Sequence, residues 1–240
     1  MSARDVIAQL RDLAARTSDA HGAQRVAWGP VWQQARDWFD AELAKDGLAA
    51  EMDAAGNRWV TLKGASPRTV IVGGHLDSVP NGGWLDGCLN VMAGLEVMRR
   101  IASEGTPPIT IRLVDWADEE GARFGRSLFG SSAASNTMNP DELRNLTDKE
   151  GVKISDALAK FDVNLDTAKQ AHKQLENAAA YLELHIEQGP VLESMNLPLG
   201  VVLGTFGVER HAIRFTGQSA HAGSTPMNQR RDALGGASRL

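Results

Sequence analysis

His75 and Asp77 stand two apart in the stretch VIVGGHLDSVPNGGWLDGCLNV (70–91), and Asp86 follows eleven residues after His75, behind a glycine-rich turn. Farther along come the adjacent pair Glu119 and Glu120 and then His185. Imidazole and carboxylate are the usual ligands of zinc and its neighbours when sulfur is absent. Each signal alone has a plainer reading. An HxD triplet suits a capped turn, two adjacent glutamates suit a helix start, where the dipole favours them, and a single His near a strand end suits an ordinary satisfied polar residue. The case for chemistry rests on their conjunction.

That conjunction depends on the elements that carry them. TVIVGG (69–74) is a short apolar run rich in β-branched residues, as in a strand buried on both faces. A helix through VMAGLEVMRRIAS follows, and then a second such strand, ITIRLVDWADEE (109–120). Strand, helix, strand is a βαβ unit and implies a mainly parallel sheet. AAYLELHIEQG (179–189) reads as a third core strand with His185 near its end. In open α/β sheets ligands bind beyond the carboxyl ends of the strands, so three strands bring His75 and Asp86, Glu119 and Glu120, and His185 to one edge. Gly82, Gly83 and Gly87 free the backbone to carry Asp86 back over the strand end.

Chemistry separates some of the roles. A metal-bound His donates its other N–H to a carboxylate, which fixes the tautomer, and Asp77 is placed for that. One Asp can bridge two metals about 3.5–4 Å apart, and Asp86 is the candidate. Adjacent Glu119 and Glu120 point different ways, so one can bind metal while the other takes a proton from an activated water and passes it to a leaving nitrogen. The chain has no G-x-G-x-x-G and no Walker A; GQSAHAG (217–223) is not the G-x-S-x-G elbow. Cys88 lacks a Cys–His setting and reads as a small packing residue.

The remaining elements frame this edge. Residues 2–16 read as an amphipathic helix that Ser2 can cap. A second helix starts near Pro30 and stops at Gly47. GLAAEMDAAGNRWVTLKG reads as two strands around a turn, and residues 140–180 as polar, broken helix. Near residue 205 the composition changes to short alternating strands with frequent Gly, so residues 1–204 are expected to form the catalytic α/β domain and 205–240 the start of a second module. A helix begins near the end of the sequence.

The 240 residues are 42% hydrophobic and carry a net charge of −5, with one cysteine. No Lys/Arg-rich run invites nucleic acid. One cysteine excludes an internal disulfide framework and suits a reducing compartment. The N-terminus lacks a signal-peptide core, and no apolar run reaches the ~20 residues of a membrane span. The expectation is a cytoplasmic globular protein.

GGHLDSVPNGGWLDGCLNVMAGLEV, DWADEEGARFGRSLFGS, LELHIEQGPVLE and GQSAHAGSTPMNQRRDAL together resemble the N-carbamoyl-L-amino acid hydrolases. These group with allantoate amidohydrolases and the bacterial/yeast type of β-ureidopropionase in the dinuclear zinc aminoacylase and carboxypeptidase superfamily. HIEQGP narrows the likeness to the amidohydrolase branch. The resemblance implies a catalytic α/β domain with a mainly parallel mixed sheet flanked by helices, plus an inserted α+β lid that makes a homodimer. It implies two divalent metal ions (Zn²⁺, or Mn²⁺, Co²⁺ or Ni²⁺) and a small ureido or carbamoyl substrate whose C–N bond is hydrolysed. On the family pattern His75 and His185 hold one metal, Asp86 bridges, Glu120 holds the second, Glu119 is the general base and Asp77 backs His75. Gln188 and Arg210 resemble substrate contacts, and His221 resembles the lid His that polarises the carbonyl in a neighbouring active site.

Asn90 stands where the family commonly has Gly, and Trp84 where a basic or polar residue is usual. Family members also run on through the lid and back into the catalytic domain, where the last metal-binding His and a substrate-gripping Asn and Arg lie. None of His21, His172 and His211 has the context to replace that His. The resemblance therefore implies four of five metal ligands in this chain, and doubtful activity for the chain alone. Allantoate or N-carbamoyl-β-alanine is the alternative substrate. A non-catalytic remnant, or one half of a split enzyme, is the alternative of another class.

Overall fold

A computed structural model of the protein describes residues 3–205, 207 and 211–239. Ser2 and Arg210 lie outside the described residues. The chain divides into two compact units, 1–188 and 189–240.

The first unit is built on a five-stranded mixed sheet. Helix α1 (Ala3–Thr17) leads into a small hairpin of β1 (Ser18–Asp19) and β2 (Gly22–Ala23), and α2 (Pro30–Ala44) follows with Pro30 in its first turn. Strands β3 (Ala50–Met52), β4 (Arg58–Leu62), β5 (Thr69–Gly74), β6 (Thr110–Asp115) and β7 (Ala178–Leu182) form the sheet in the order β3-β4-β6-β5-β7. β4 is antiparallel to β3 and β6, whereas β5 is parallel to both β6 and β7. The parallel pair β5 and β6 is joined through α3 (Cys88–Ser103), so the three strands expected to deliver chemistry are parallel neighbours.

Both faces of the sheet are covered at β5 and β6, which is why these two strands are apolar without alternation. On one face α1, α2 and α3 bury Leu10, Leu13, Phe39, Val91, Met92 and Leu95 against Val60 and Leu113. On the other, Trp28, Trp32, Trp59 and Phe129 pack with Ile71 and Val114. The Trp28 ring meets Trp32 edge-on at 4.9 Å and Phe129 at 5.4 Å, geometries worth about 0.5–1.5 kcal/mol each beyond burial. Cys88 is fully buried in the helical layer, and burial pushes its thiol up to about 11. It is a packing residue.

The strands are shorter than the sequence pattern suggests. β6 ends at Asp115 and β7 at Leu182, so Glu119, Glu120 and His185 sit in loops beyond their strands. β7 is exposed along its whole length, and the ladder that would extend it stops. Residues 140–180 are broken helix: Pro140–Leu143, Ile154–Ala159 and the 3₁₀ segment Ala168–Leu175.

In the second unit the described residues hold the short helices Val191–Ser194 and Ala233–Ala237 and the 3₁₀ turn Met227–Gln229. Asp232 caps the last helix by accepting the Gly235 N–H at 3.0 Å. The alternating strands expected after residue 205 are absent among the described residues. A strand exists only by pairing, and among the described residues of this unit the single backbone bond from Gln218 N–H to the Arg231 carbonyl at 2.9 Å builds no ladder. Among the described residues no helix is long and apolar enough to cross a membrane.

Candidate functional site

At Gly74 the chain leaves the sheet, and His75 turns into the interior beside the end of β6. The His75 ring is 2% exposed. Its Nδ1 lies 3.0 Å from the Asp77 backbone oxygen and 3.6 Å from the Asp77 carboxylate. A carbonyl only accepts, so Nδ1 carries the proton of that bond, and the Nε2 lone pair of the neutral ring is free. Nε2 faces Glu119 Oε2 at 3.6 Å.

The Asp77 carboxylate ties this turn to the next one. Oδ1 accepts the Glu119 N–H at 3.2 Å and Oδ2 the Glu120 N–H at 3.1 Å. Asp118, with φ 54°, makes the reversal that presents these consecutive N–H groups. The Trp28 indole N–H donates to Asp118 Oδ2 at 2.8 Å and fixes that reversal to the aromatic core.

Gly87 explains the glycine-rich turn. Its φ is +64°, and a Cβ there would lie 2.4 Å from the His75 carbonyl oxygen and 2.5 Å from its ring. Gly82 is tightly packed as well, whereas Gly83 faces open space apart from Asp86 at 3.9 Å. The turn returns Asp86 towards His185: Asp86 Oδ1 is 3.6 Å from His185 Nε2 and has no hydrogen-bond partner although it is buried. Gln188, at φ 54°, donates from Nε2 to Asp86 Oδ2. His185 itself is partly exposed, with Nδ1 2.6 Å from the Ile186 carbonyl.

Negative charge is concentrated here. Burial alone would lower the His75 imidazole, but its hydrogen bond to Asp77 and the charges of Asp77 and Glu119 outweigh that and hold it at about 10. Burial raises Glu119 and Glu120 above the ordinary carboxylate range, with His75 opposing. Burial, and then the Asp77 charge, push Asp118 up to about 7.

The donor set fits a divalent metal in part. Two donors on one tetrahedral zinc, with bonds of about 2.0–2.2 Å, sit roughly 3.3–3.5 Å apart. The His185–Asp86 separation, 3.6 Å, is too long for a hydrogen bond and close to that span. The bare buried oxygen of Asp86 lacks only a cation or a donor. The residues therefore fit a metal in type, and His185 with Asp86 fits one in spacing. Among the described residues no three His, Cys, Asp or Glu side chains converge tightly enough to hold an ion together.

The geometry thus brings His75, Asp77 and Glu119 into contact, holds Glu120 to Asp77 through its backbone, and joins Asp86, His185 and Gln188. His221 belongs to the second unit, where its Nδ1 accepts the Gly223 and Ser224 N–H groups, each at 3.1 Å. Asn90 is buried and accepts the Leu184 N–H at 3.1 Å, which ties α3 to the segment before His185. Trp84 is 40% exposed. Sequence reasoning missed Asp118 and Trp28. The spelling DWADEE offered three carboxylates after the strand, and nothing in it marked the first as buried.

The family profile of peptidase family M28 matches residues 57–197. An N-carbamoyl-L-amino acid amidohydrolase of Geobacillus stearothermophilus is 38% identical over 224 residues, 91% of this chain and 54% of that protein. An allantoate amidohydrolase of Escherichia coli is 36% identical over 224 residues, 92% of this chain and 54% of that protein. Among solved structures, a hydantoinase/carbamoylase family amidase from Burkholderia ambifaria superposes with a TM-score of 0.73 at 30% identity, over 100% of this chain and 58% of that one. The chain spans about half the length of the curated relatives it matches.

Proposed function

Since the chain belongs to peptidase family M28, we propose that the complete protein is a metal-dependent amidohydrolase that cleaves the ureido C–N bond of an N-carbamoyl-L-amino acid. The observation that carries this reading is His185 Nε2 facing the bare buried Asp86 oxygen at 3.6 Å beyond the ends of parallel strands, with the Glu119 carboxylate 3.6 Å from His75 Nε2 beside it. His75, His185, Asp86 and Glu120 are the proposed metal-holding residues, with zinc, manganese, cobalt or nickel as the ion. A bound divalent cation supplies Lewis-acid polarisation of the carbonyl and a nucleophile at neutral pH.

The chain's own residues do the rest. Asp77 keeps the His75 proton on Nδ1 and so aims the Nε2 lone pair outward. Glu119 moves one proton: its carboxylate takes it from the attacking water and returns it to the departing nitrogen. Release of the amino acid, ammonia and carbon dioxide completes the balance. Gln188 and Arg210 are proposed substrate contacts, and His221 polarises the carbonyl from the lid of a partner in a homodimer. Residues 1–204 would form the catalytic domain and 205–240 the start of that lid, in the cytoplasm.

The test is an assay of the full-length protein, loaded with each metal, on N-carbamoyl-L-amino acids, allantoate and N-carbamoyl-β-alanine. Preferred turnover of the first supports the reading; preferred turnover of either other compound changes the substrate. Metal-loaded protein that hydrolyses none of them overturns it. A second reading, one half of a split enzyme or a non-catalytic remnant, is favoured by one observation: β7 is exposed along its length beside residues proposed to hold metal. It predicts no turnover by residues 1–240 without a complementing chain.

A further inference from the structure

Where β5 ends, the ladder ends with it, and the backbone groups between His75 and Asp77 need other partners. At Leu76 both partners are buried charged side chains. The Leu76 N–H donates to Asp115 Oδ1 at 2.8 Å. The Leu76 carbonyl accepts from Arg25 Nε at 2.7 Å. The first bond fixes the peptide plane between His75 and Leu76, and the second fixes the plane between Leu76 and Asp77. Together they set both backbone torsions of Leu76, and with them the relative placement of the two functional side chains.

Each holder is itself held. Arg36 donates from Nε to Asp115 Oδ2 at 2.8 Å and from Nη1 to the Gly56 carbonyl at 2.7 Å. Arg25 Nη1 donates to Thr17 Oγ1 at 3.3 Å, and Thr17 in turn donates to the Leu13 carbonyl at 2.7 Å. The Arg25 backbone exchanges bonds with Ser78, N–H to Oγ and carbonyl to N–H, both at 3.0 Å. Arg25 and Asp115 are fully buried and Arg36 nearly so.

Stability alone is a poor account of this arrangement. Arg25 is buried against a carbonyl and a hydroxyl, both neutral, and its Nη2 has no hydrogen-bond partner. Burying a guanidinium in that company is costly, and apolar residues of similar volume often stabilise a core more. What Arg25 and Asp115 supply is direction, a donor and an acceptor aimed at one residue.

We propose that Arg25 and Asp115, with Arg36 behind Asp115, are positioning residues that lock the peptide planes on either side of Leu76 and so set the geometry of His75 against Asp77. The inference rests on the metal-centre reading for what His75 then binds, and on hydrogen-bond geometry alone for the hold on His75.

The test uses two readouts on the same full chain. The first is the His75 ring ¹⁵N shifts without metal, assigned by the signal lost in His75→Gln. The second is the Co²⁺ dissociation constant from visible absorption. The variants are Asp115→Asn, which breaks the pair with Arg36, and Arg25→Lys, which keeps the charge and loses the planar donor. Leu113→Ala, a core truncation in the neighbouring strand, controls for lost stability. Positioning predicts moved His75 shifts and a Co²⁺ dissociation constant raised about 10–100-fold in both variants at temperatures where they are folded, with neither change in the control. Unmoved His75 shifts in folded variants overturn the proposal, as does a control that matches the variants. Moved shifts in a chain whose wild type binds no Co²⁺ support the positioning role and sink the metal reading instead. If both variants unfold, Thr17→Val, which removes only the hydroxyl anchor of Arg25, is read in their place, and unmoved His75 shifts there overturn the proposal.

Discussion

Asp77 accepts the backbone N–H of Glu119 at 3.2 Å while its own backbone oxygen receives the His75 ring. One residue thus holds an imidazole and the loop of the proposed base in register. Asp77→Asn keeps the size but replaces one carboxylate oxygen with an N–H donor, which must face either the Glu119 or the Glu120 amide. The expected outcome is a folded chain whose divalent-metal affinity falls about 10–100-fold. Competition against a chelator measures it, and unchanged affinity removes Asp77 from the site.

Direct ligands should matter more than their supports. His75→Ala and His185→Ala are each expected to lower bound zinc, manganese, cobalt or nickel further than Asp77→Asn does. Elemental analysis after dialysis, together with titration calorimetry, provides the measurement. If His185→Ala leaves affinity unchanged, the pair it forms with Asp86 at 3.6 Å is an ordinary surface contact.

The extent to which this site is legible in the sequence follows from which interactions are local. The run TVIVGG appears as β5 with the boundaries its composition suggests, because a strand buried on both faces announces itself by apolar, β-branched continuity. The ends expected for β6 and β7 are too long, because Trp116 and Ala117 extend the apolar run of β6, and ELHI the alternation of β7, past the last ladder pair. Residues 115–118 stay buried after β6 stops pairing, whereas β7 and the segment after it are exposed: a strand ends where its pairing ends, whatever the pattern. Spacing alone places His75 and Asp77 together, since they are two apart. It does not place Arg25, Arg36 and Asp115: their partners lie far along the chain, and a buried Arg is spelled no differently from an exposed one. Arg36 even falls on a helix that reads as simply amphipathic.

Gly87 offers a test of the turn itself. Gly87→Ala places a Cβ 2.4 Å from the His75 carbonyl oxygen in a backbone at φ +64°. Left-handed backbone alone costs an L-residue roughly 1–2 kcal/mol, and the overlap adds to that. The urea midpoint should fall by an amount that exceeds this strain, and metal affinity should fall with it. An alanine variant as stable as wild type would mean that the turn relaxes freely and does not fix Asp86.

Glu119 is the sharpest chemical prediction. Its Oε2 lies 3.6 Å from His75 Nε2, its backbone is tied to Asp77, and burial raises its carboxyl above the ordinary range. A base poised nearer neutrality both takes and returns a proton more readily than an ordinary carboxylate. Glu119→Gln is nearly isosteric and cannot accept that proton. In the full-length, metal-loaded protein it should keep metal content and KM while kcat falls about 10²–10⁴-fold. The two halves of the result separate the roles. Lost metal with lost turnover would make Glu119 a ligand, in line with its contact to His75, and would leave Glu120 as the candidate base. Retained turnover with retained metal would move the base away from Glu119.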